Sequence, residues 1–171
     1  LVLSNGSSNT SKIDGNSDAA PMFIEALQYI CVELAKELVR DGEGAQRLIE
    51  VIVEGAVDLS EARVAARSIA SSLLVKSMVH GGDPNWGRIV MAVGKSGERA
   101  DRDKLCISIG NIEIASFGKS VESYKEEPVA EHMKGNEIKV EVDVGVGNGV
   151  ASVWTCDLTH GYISINADYR T

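Results

Sequence analysis

Glu137-Ile-Lys-Val-Glu-Val-Asp-Val144 alternates polar and apolar residues without a fault, the period of a strand with one buried and one wet face. Gly145-Val-Gly-Asn-Gly149 follows, and then Val150-Ala-Ser-Val-Trp-Thr-Cys156, so the stretch predicts two strands joined as a hairpin by a glycine-rich turn. A phosphate-cradling reading of Gly145 to Gly149 fails on context, because such a loop passes from a strand into a helix and here strand follows strand. Upstream, Leu105, Ile107 and Ile109 alternate with Cys106 and Ser108. Gly110-Asn111 then leads into Ile112 and Ile114, which is hairpin chemistry around a two-residue turn. Leu48 to Val53 is a short apolar, β-branched run that predicts a buried strand bounded by Glu54-Gly55.

Helical periods lie between these runs. From Pro21, the residues Phe23, Leu27, Ile30, Leu34 and Leu38 recur at three- and four-residue steps, predicting an amphipathic helix that Gly42 or Gly44 stops. Asp58 with Glu61 has the form of a capping box, and Leu59, Ala62, Ala66, Ile69 and Leu73 continue at helical spacing towards the punctuation His80-Gly-Gly-Asp-Pro84. The small alanines on that face imply close packing on a sheet. Residues 1–20 are rich in Ser, Asn and Gly and form a polar loop segment, leaving 21–171 as the folded region. Periods of two and of 3.6 are interleaved without an internal repeat, so the class is α/β, or a layered α+β arrangement.

Lys and Arg total 17 against 25 for Asp and Glu, a net charge of −8, and no stretch gathers enough basic residues to neutralise many phosphates. Nucleic acid is therefore not an expected partner. No run of the roughly 18–20 apolar residues that a membrane span needs is present. Cys31, Cys106 and Cys156 are odd in number and widely spaced, which predicts neither a disulfide framework nor a zinc site and fits a reducing, cytoplasmic setting. His80, His132 and His160 lie far apart in sequence, so no metal centre is expected.

Three places could carry binding chemistry. Asp83-Pro-Asn-Trp-Gly-Arg88 reads either as a binding corner or as a structural turn in which Trp86 plugs the core and Arg88 pairs an acid. Glu43, between Gly42 and Gly44, is a carboxylate where a ligand can approach the backbone closely, although a helix C-cap explains the same glycines. The chain closes on Asn166-Ala-Asp-Tyr-Arg-Thr171. The alternation Tyr162-Ile-Ser-Ile165 just before it predicts that this end is tied into the fold.

Taken together, five separated segments resemble one family. They are Arg40-Asp-Gly-Glu-Gly-Ala45, Val53-Glu-Gly-Ala56, Ser72-Leu-Leu-Val-Lys-Ser77, Asp83-Pro-Asn-Trp-Gly-Arg-Ile89, and the closing Asp157-Leu-Thr with Ile165-Asn-Ala-Asp-Tyr-Arg-Thr171. In order and spacing they are similar to the ornithine acetyltransferases, or glutamate N-acetyltransferases, of the cyclic arginine pathway, from about Phe23 onward.

The resemblance implies a self-processing αββα fold of mixed sheets and packed helices, with this sequence the C-terminal part of the β chain. It implies a precursor that cuts itself before a threonine, whose hydroxyl then carries acetyl from N-acetylornithine to glutamate, releasing ornithine and N-acetylglutamate. The family's Ala-Thr-Met-Leu-type nucleophile segment is absent here, and Leu1 cannot replace it, so no catalytic residue is expected in this chain. By resemblance, Glu43 binds the substrate's amino-acid portion, and Asn166 and Thr171 are further substrate contacts. A carboxylate facing an ammonium, and an amide with a hydroxyl facing a carboxylate, are complementary pairs. No cofactor is implied, although acetyl-CoA is a co-substrate if the parent is bifunctional. The implied partners are the α chain of the same precursor and further copies of the αβ heterodimer. The rival readings are a non-catalytic paralogue acting as an amino-acid-binding or scaffolding module, and a self-processing threonine hydrolase.

Overall fold

The computed structural model describes residues 1–168. They fall into two compact units, Leu1–Ala35 and the residues from Lys36 onward. The first holds an irregular segment and the opening turns of α1 (Ala20–Arg40), along which Phe23, Ile30 and Leu34 of the predicted apolar stripe are exposed.

In the second unit the sheet is assembled on β1 (Leu48–Ala56). β1 runs parallel to β5 (Glu137–Asp143), with Val51 opposite Val140, and antiparallel to β6 (Gly149–Cys156), with Val51 opposite Val153. Beyond β5 stand β2 (Cys106–Ile109), β3 (Ile112–Ser116) and β4 (Lys119–Ser120), giving six strands in the order β4-β3-β2-β5-β1-β6. The class is mixed α/β. β2 and β3 form the predicted hairpin around Gly110 and Asn111, whose φ values of 61° and 63° are those of a type I′ turn.

The hairpin predicted over residues 137–156 is not formed: both strands exist, but β1 is inserted between them. The intervening glycines span two strand spacings, about 10 Å, and cross the end of β1. There the amides of Val146 and Gly147 both donate to the carbonyl of Gly55 at 2.7 Å. The crossing leaves no room for side chains, because a Cβ on Gly147 would stand 2.4 Å from the Ala56 carbonyl oxygen and one on Gly149 2.2 Å from that of Asp58. The apolar run of β1 gains a ladder on each edge, which a hairpin of its neighbours would deny it.

Ile49, Val51 and Val53 of β1, Ile138, Val140 and Val142 of β5, and Ile107 and Ile109 of β2 are buried on one face of the sheet. α2 (Leu59–Ala70) packs against β1 and β6, burying Ala62, Ala65, Ala66, Ile69 and Ala70. The alanines allow the close approach that the sequence implies. Asp58 caps α2 by accepting from the Glu61 amide at 2.9 Å, while the Glu61 carboxylate turns to Arg99 instead of closing the box.

The helix does not run on through Leu73, as its spacing predicts. It stops at Ala70, and α3 (Leu73–Gly81) starts afresh under Ser72, whose hydroxyl accepts from the Val75 amide. Ser71 closes α2 through its backbone N–H, which donates to the Arg67 carbonyl, and Ser72 supplies the cap oxygen of the next helix. α4 (Trp86–Ser96) then begins inside the stretch 83–88, read as a corner, and runs beyond it. Trp86 is partly buried against the core and Arg88 lies 3.8 Å from Asp83, so this segment follows its structural reading. α5 (Glu126–His132) and α6 (His160–Asp168) complete the order. No described helix is long and apolar enough to cross a membrane.

The inserted strand makes a test. Gly147→Ala should lower stability by about 1–3 kcal/mol in urea unfolding, since the new methyl meets the backbone of β1. Asn148→Ala, exposed on the same loop, should stay within about 0.5 kcal/mol of the parent.

Candidate functional site

The β1–β6 register sets Leu48 opposite Cys156, so the residues entering β1 and those leaving β6 meet at one end of the sheet. The turn from Asp41 to Arg47 comes from one side. Asp157-Leu158-Thr159, the link from β6 to α6, comes from the other.

Asp157 and Thr159 are the polar residues most deeply buried among the described residues, each 3% exposed. Burial of such groups is tolerated only when they are bonded, and both spend their bonds on the turn. Asp157 Oδ1 accepts from the amides of Gln46 at 2.9 Å and Arg47 at 3.0 Å. Its Oδ2 lies 3.3 Å from His80 Nδ1 and 3.7 Å from the Arg47 guanidinium, which also donates to the carbonyls of Val79 and His80. Thr159 Oγ1 donates to the Gly44 carbonyl at 2.6 Å and accepts from the Tyr162 amide at 3.3 Å.

Gly44 completes the seat. Its φ is +70°, and a Cβ there would stand 2.4 Å from the Tyr162 amide nitrogen. The Glu43 turn therefore rests directly on the first turn of α6.

This contact brings together two of the residues singled out from the sequence. Asn166 Nδ2 donates to Glu43 Oε2 at 2.9 Å, across 123 residues, and to the Tyr162 carbonyl one helical turn back, also at 2.9 Å. Both acceptors engage the amide nitrogen: its two hydrogens are committed, which leaves Oδ1 as the acceptor of this exposed side chain. The corner thus offers carboxylate and carbonyl oxygens, which suit a donor such as an ammonium. The resemblance has Asn166 facing a carboxylate through its amide, whereas here the NH2 is taken up by Glu43 and the helix. Glu43 and Asn166 are exposed, forming an open corner instead of a closed pocket. Thr171 lies outside the described residues.

Within the described residues, Tyr162-Ile-Ser-Ile165 lies in a helix whose first turn is held by the Thr159 bond, and Tyr162, Ile163 and Ile165 are exposed, not packed. His80 and His160, distant in sequence, meet edge to face with ring centroids 5.8 Å apart. His132 accepts from the Lys139 amide elsewhere. Among the described residues no group of three or more His, Cys, Asp or Glu side chains could hold a metal ion. Sequence reasoning gave Asp157 and Thr159 no role. The available signal was an Asp-x-Thr placed between an apolar strand and a polar end, where short oxygen-bearing side chains bond backbone.

A cavity of about 300 Å³ lies farther along the sheet, between Lys36, Arg40, Glu50, His132, Lys139 and Trp154. Its cations are engaged by the protein itself. Arg40 bonds Glu37 and Glu137 at 2.6 Å each, which holds its pKa above the ordinary value, and Lys139 is raised likewise by Glu141 at 2.7 Å. Lys36 stands 5.3 Å over the Trp154 ring. These contacts describe a satisfied surface more than a receptor.

Comparison with known proteins shows the family. The model of the ArgJ family matches residues 1–171. The chain belongs to the ArgJ family. It is 58% identical over 147 residues to the arginine biosynthesis bifunctional protein ArgJ of Zymomonas mobilis, covering 86% of this chain and 36% of that protein. Its identity to the ArgJ of Ruegeria pomeroyi is 48%, over 100% of this chain and 41% of that protein. The chain thus spans about two fifths of the length of the curated ArgJ relatives it matches. The crystal structure of the arginine biosynthesis bifunctional protein ArgJ from Bacillus halodurans superposes with a TM-score of 0.95 at 38% identity, over 99% of this chain and 79% of that one.

Asp157→Ala should destabilise the chain by about 3 kcal/mol in urea unfolding. It strands two backbone amides and leaves the Arg47 guanidinium without its buried counter-charge. A change below about 1 kcal/mol, the scale of a surface pair, would remove Asp157 from its place in the scaffold.

Proposed function

We propose that this chain supplies a substrate-binding part of an acetyltransferase of arginine biosynthesis, which moves acetyl from N-acetylornithine to glutamate through an acetyl-threonine intermediate. The observation that carries the reading is the Glu43–Asn166 pair, two exposed side chains whose oxygens can accept from the ammonium of an amino-acid substrate. Membership of a family whose curated relatives are named for arginine biosynthesis supports the pathway.

In this reading the threonine hydroxyl belongs to a part of the family protein outside these residues. Its oxygen attacks the acetyl carbonyl carbon, donors stabilise the tetrahedral oxyanion, and the C–N bond breaks as ornithine leaves with a proton on its amine. The amine of glutamate then attacks the ester, regenerating the hydroxyl. Glu43 and Asn166 hold the substrate's charged end so that its acetyl group reaches the threonine in register, a contribution of positioning. Thr171 joins them as a third contact. The enzyme works in the cytoplasm as αβ heterodimers that associate further, and uses acetyl-CoA as a co-substrate if it is bifunctional.

The openness of the corner has a kinetic counterpart. The isolated chain should transfer no acetyl from N-acetylornithine to glutamate, because it provides a grip without a nucleophile; turnover by the chain alone would overturn the reading. In the assembled enzyme, Glu43→Gln should raise KM for N-acetylornithine about tenfold, the scale of one charge-assisted hydrogen bond, with kcat changed far less. An unchanged KM would remove Glu43 from the site.

A further inference from the structure

We infer that Thr159, backed by Asp157, is a positioning residue: it sets where Glu43 stands relative to Asn166 without itself meeting a ligand. Its significance for substrate rests on the function proposed above, but the geometric claim does not.

Glu43 and Asn166 sit on separate elements, a turn and a helix, and neither element is held by large apolar side chains at this point. α6 buries no residue, and Glu43 lies on an exposed turn. What joins them is polar. Thr159 Oγ1 uses its hydrogen on the Gly44 carbonyl, next to Glu43, and a lone pair on the Tyr162 amide, in the helical turn whose carbonyl Asn166 also grips. A single oxygen thus fixes the turn and the helix to each other.

The link carrying that oxygen is itself immobilised. The Asp157 amide donates to the Arg47 carbonyl at 3.2 Å and the Leu158 amide to the Lys76 carbonyl at 3.3 Å, while the Asp157 carboxylate holds the other end of the turn at Gln46 and Arg47. Gly44 permits the seat, since a Cβ there would stand 2.7 Å from the Gly161 carbonyl carbon. An exposed Glu–Asn contact is too weak to impose its own geometry. A buried, fully bonded hydroxyl is strong enough, because leaving its partners unsatisfied is costly.

Thr159→Val keeps shape and removes the hydroxyl, Thr159→Ser keeps the hydroxyl, and Gly44→Ala prises the turn from the helix with the hydroxyl intact. In the isotopically labelled chain, Thr159→Val should speed hydrogen exchange of α6 amides about tenfold and move the Asn166 side-chain amide signals towards those of a free amide, while amides of β1 and β5 stay protected. Thr159→Ser should restore both. Titration with ornithine should show affinity falling about tenfold in Thr159→Val and recovering in Thr159→Ser.

If Thr159→Val leaves the α6 exchange and the Asn166 signals unchanged, or if Thr159→Ser is as impaired as the valine variant, the proposal is overturned. Should the valine variant lose protection throughout the sheet, Gly44→Ala decides: loosening of α6 alone supports the positioning role, and an unaltered α6 refutes it. Failure of the parent chain to respond to ornithine, with α6 still loosened by valine, supports the positioning role and retires the proposed ligand.

Discussion

The antiparallel pairing of β1 with β6 is the constraint on which the candidate site depends. Two ladders on β1 remove its edges from water and satisfy its backbone on both sides, which favours placing the most apolar strand within the sheet. Once Leu48 is opposite Cys156, the turn carrying Glu43 and the link carrying Asp157 and Thr159 must lie side by side. Polar chemistry then finishes what apolar packing started. The buried carboxylate and hydroxyl find their partners in that turn, and the helix behind them arrives with Asn166 within reach of Glu43.

Local rules carried the reading wherever a feature is set by its neighbours in sequence. The Gly110-Asn111 turn is legible because both residues tolerate positive φ, and the Asp58 cap because a short carboxylate reaches an amide three residues on. Reading failed where a partner comes from far away. Residues 137–156 have every mark of a hairpin, and nothing within them reveals that β1 takes the place between the two strands. Their glycines are needed for close backbone approach instead of a tight reversal. The break at Ser71-Ser72 was hidden by apolar spacing that runs through it, and α4 by the turn chemistry of Asp83-Pro-Asn. Of the site, Glu43 and Asn166 were named by resemblance to a family and not by any local period. The buried groups that join them, Asp157 and Thr159, stand in one of the same resembling segments, but their role was not legible, since their value lies in bonds made across the fold.

The site is also incomplete in a physical sense. Carboxylate and amide stand in water, where charge recognition is screened and acyl chemistry would compete with hydrolysis. The chain spans only about two fifths of its curated relatives. In the proposed function, this chain supplies a grip on the substrate and the reacting group comes from outside these residues.

The inserted strand also governs how the chain can reach its native state. β1 emerges from the ribosome long before either of the strands that flank it, because β5 and β6 begin at Glu137 and Gly149. Until then Leu48-Ile-Glu-Val-Ile-Val53 is a nascent apolar segment with two unmet ladders, and the long loop that must close before it is paired makes folding slow and aggregation-exposed. Glu50 within that segment and Glu54 directly after it are charges of the gatekeeper kind.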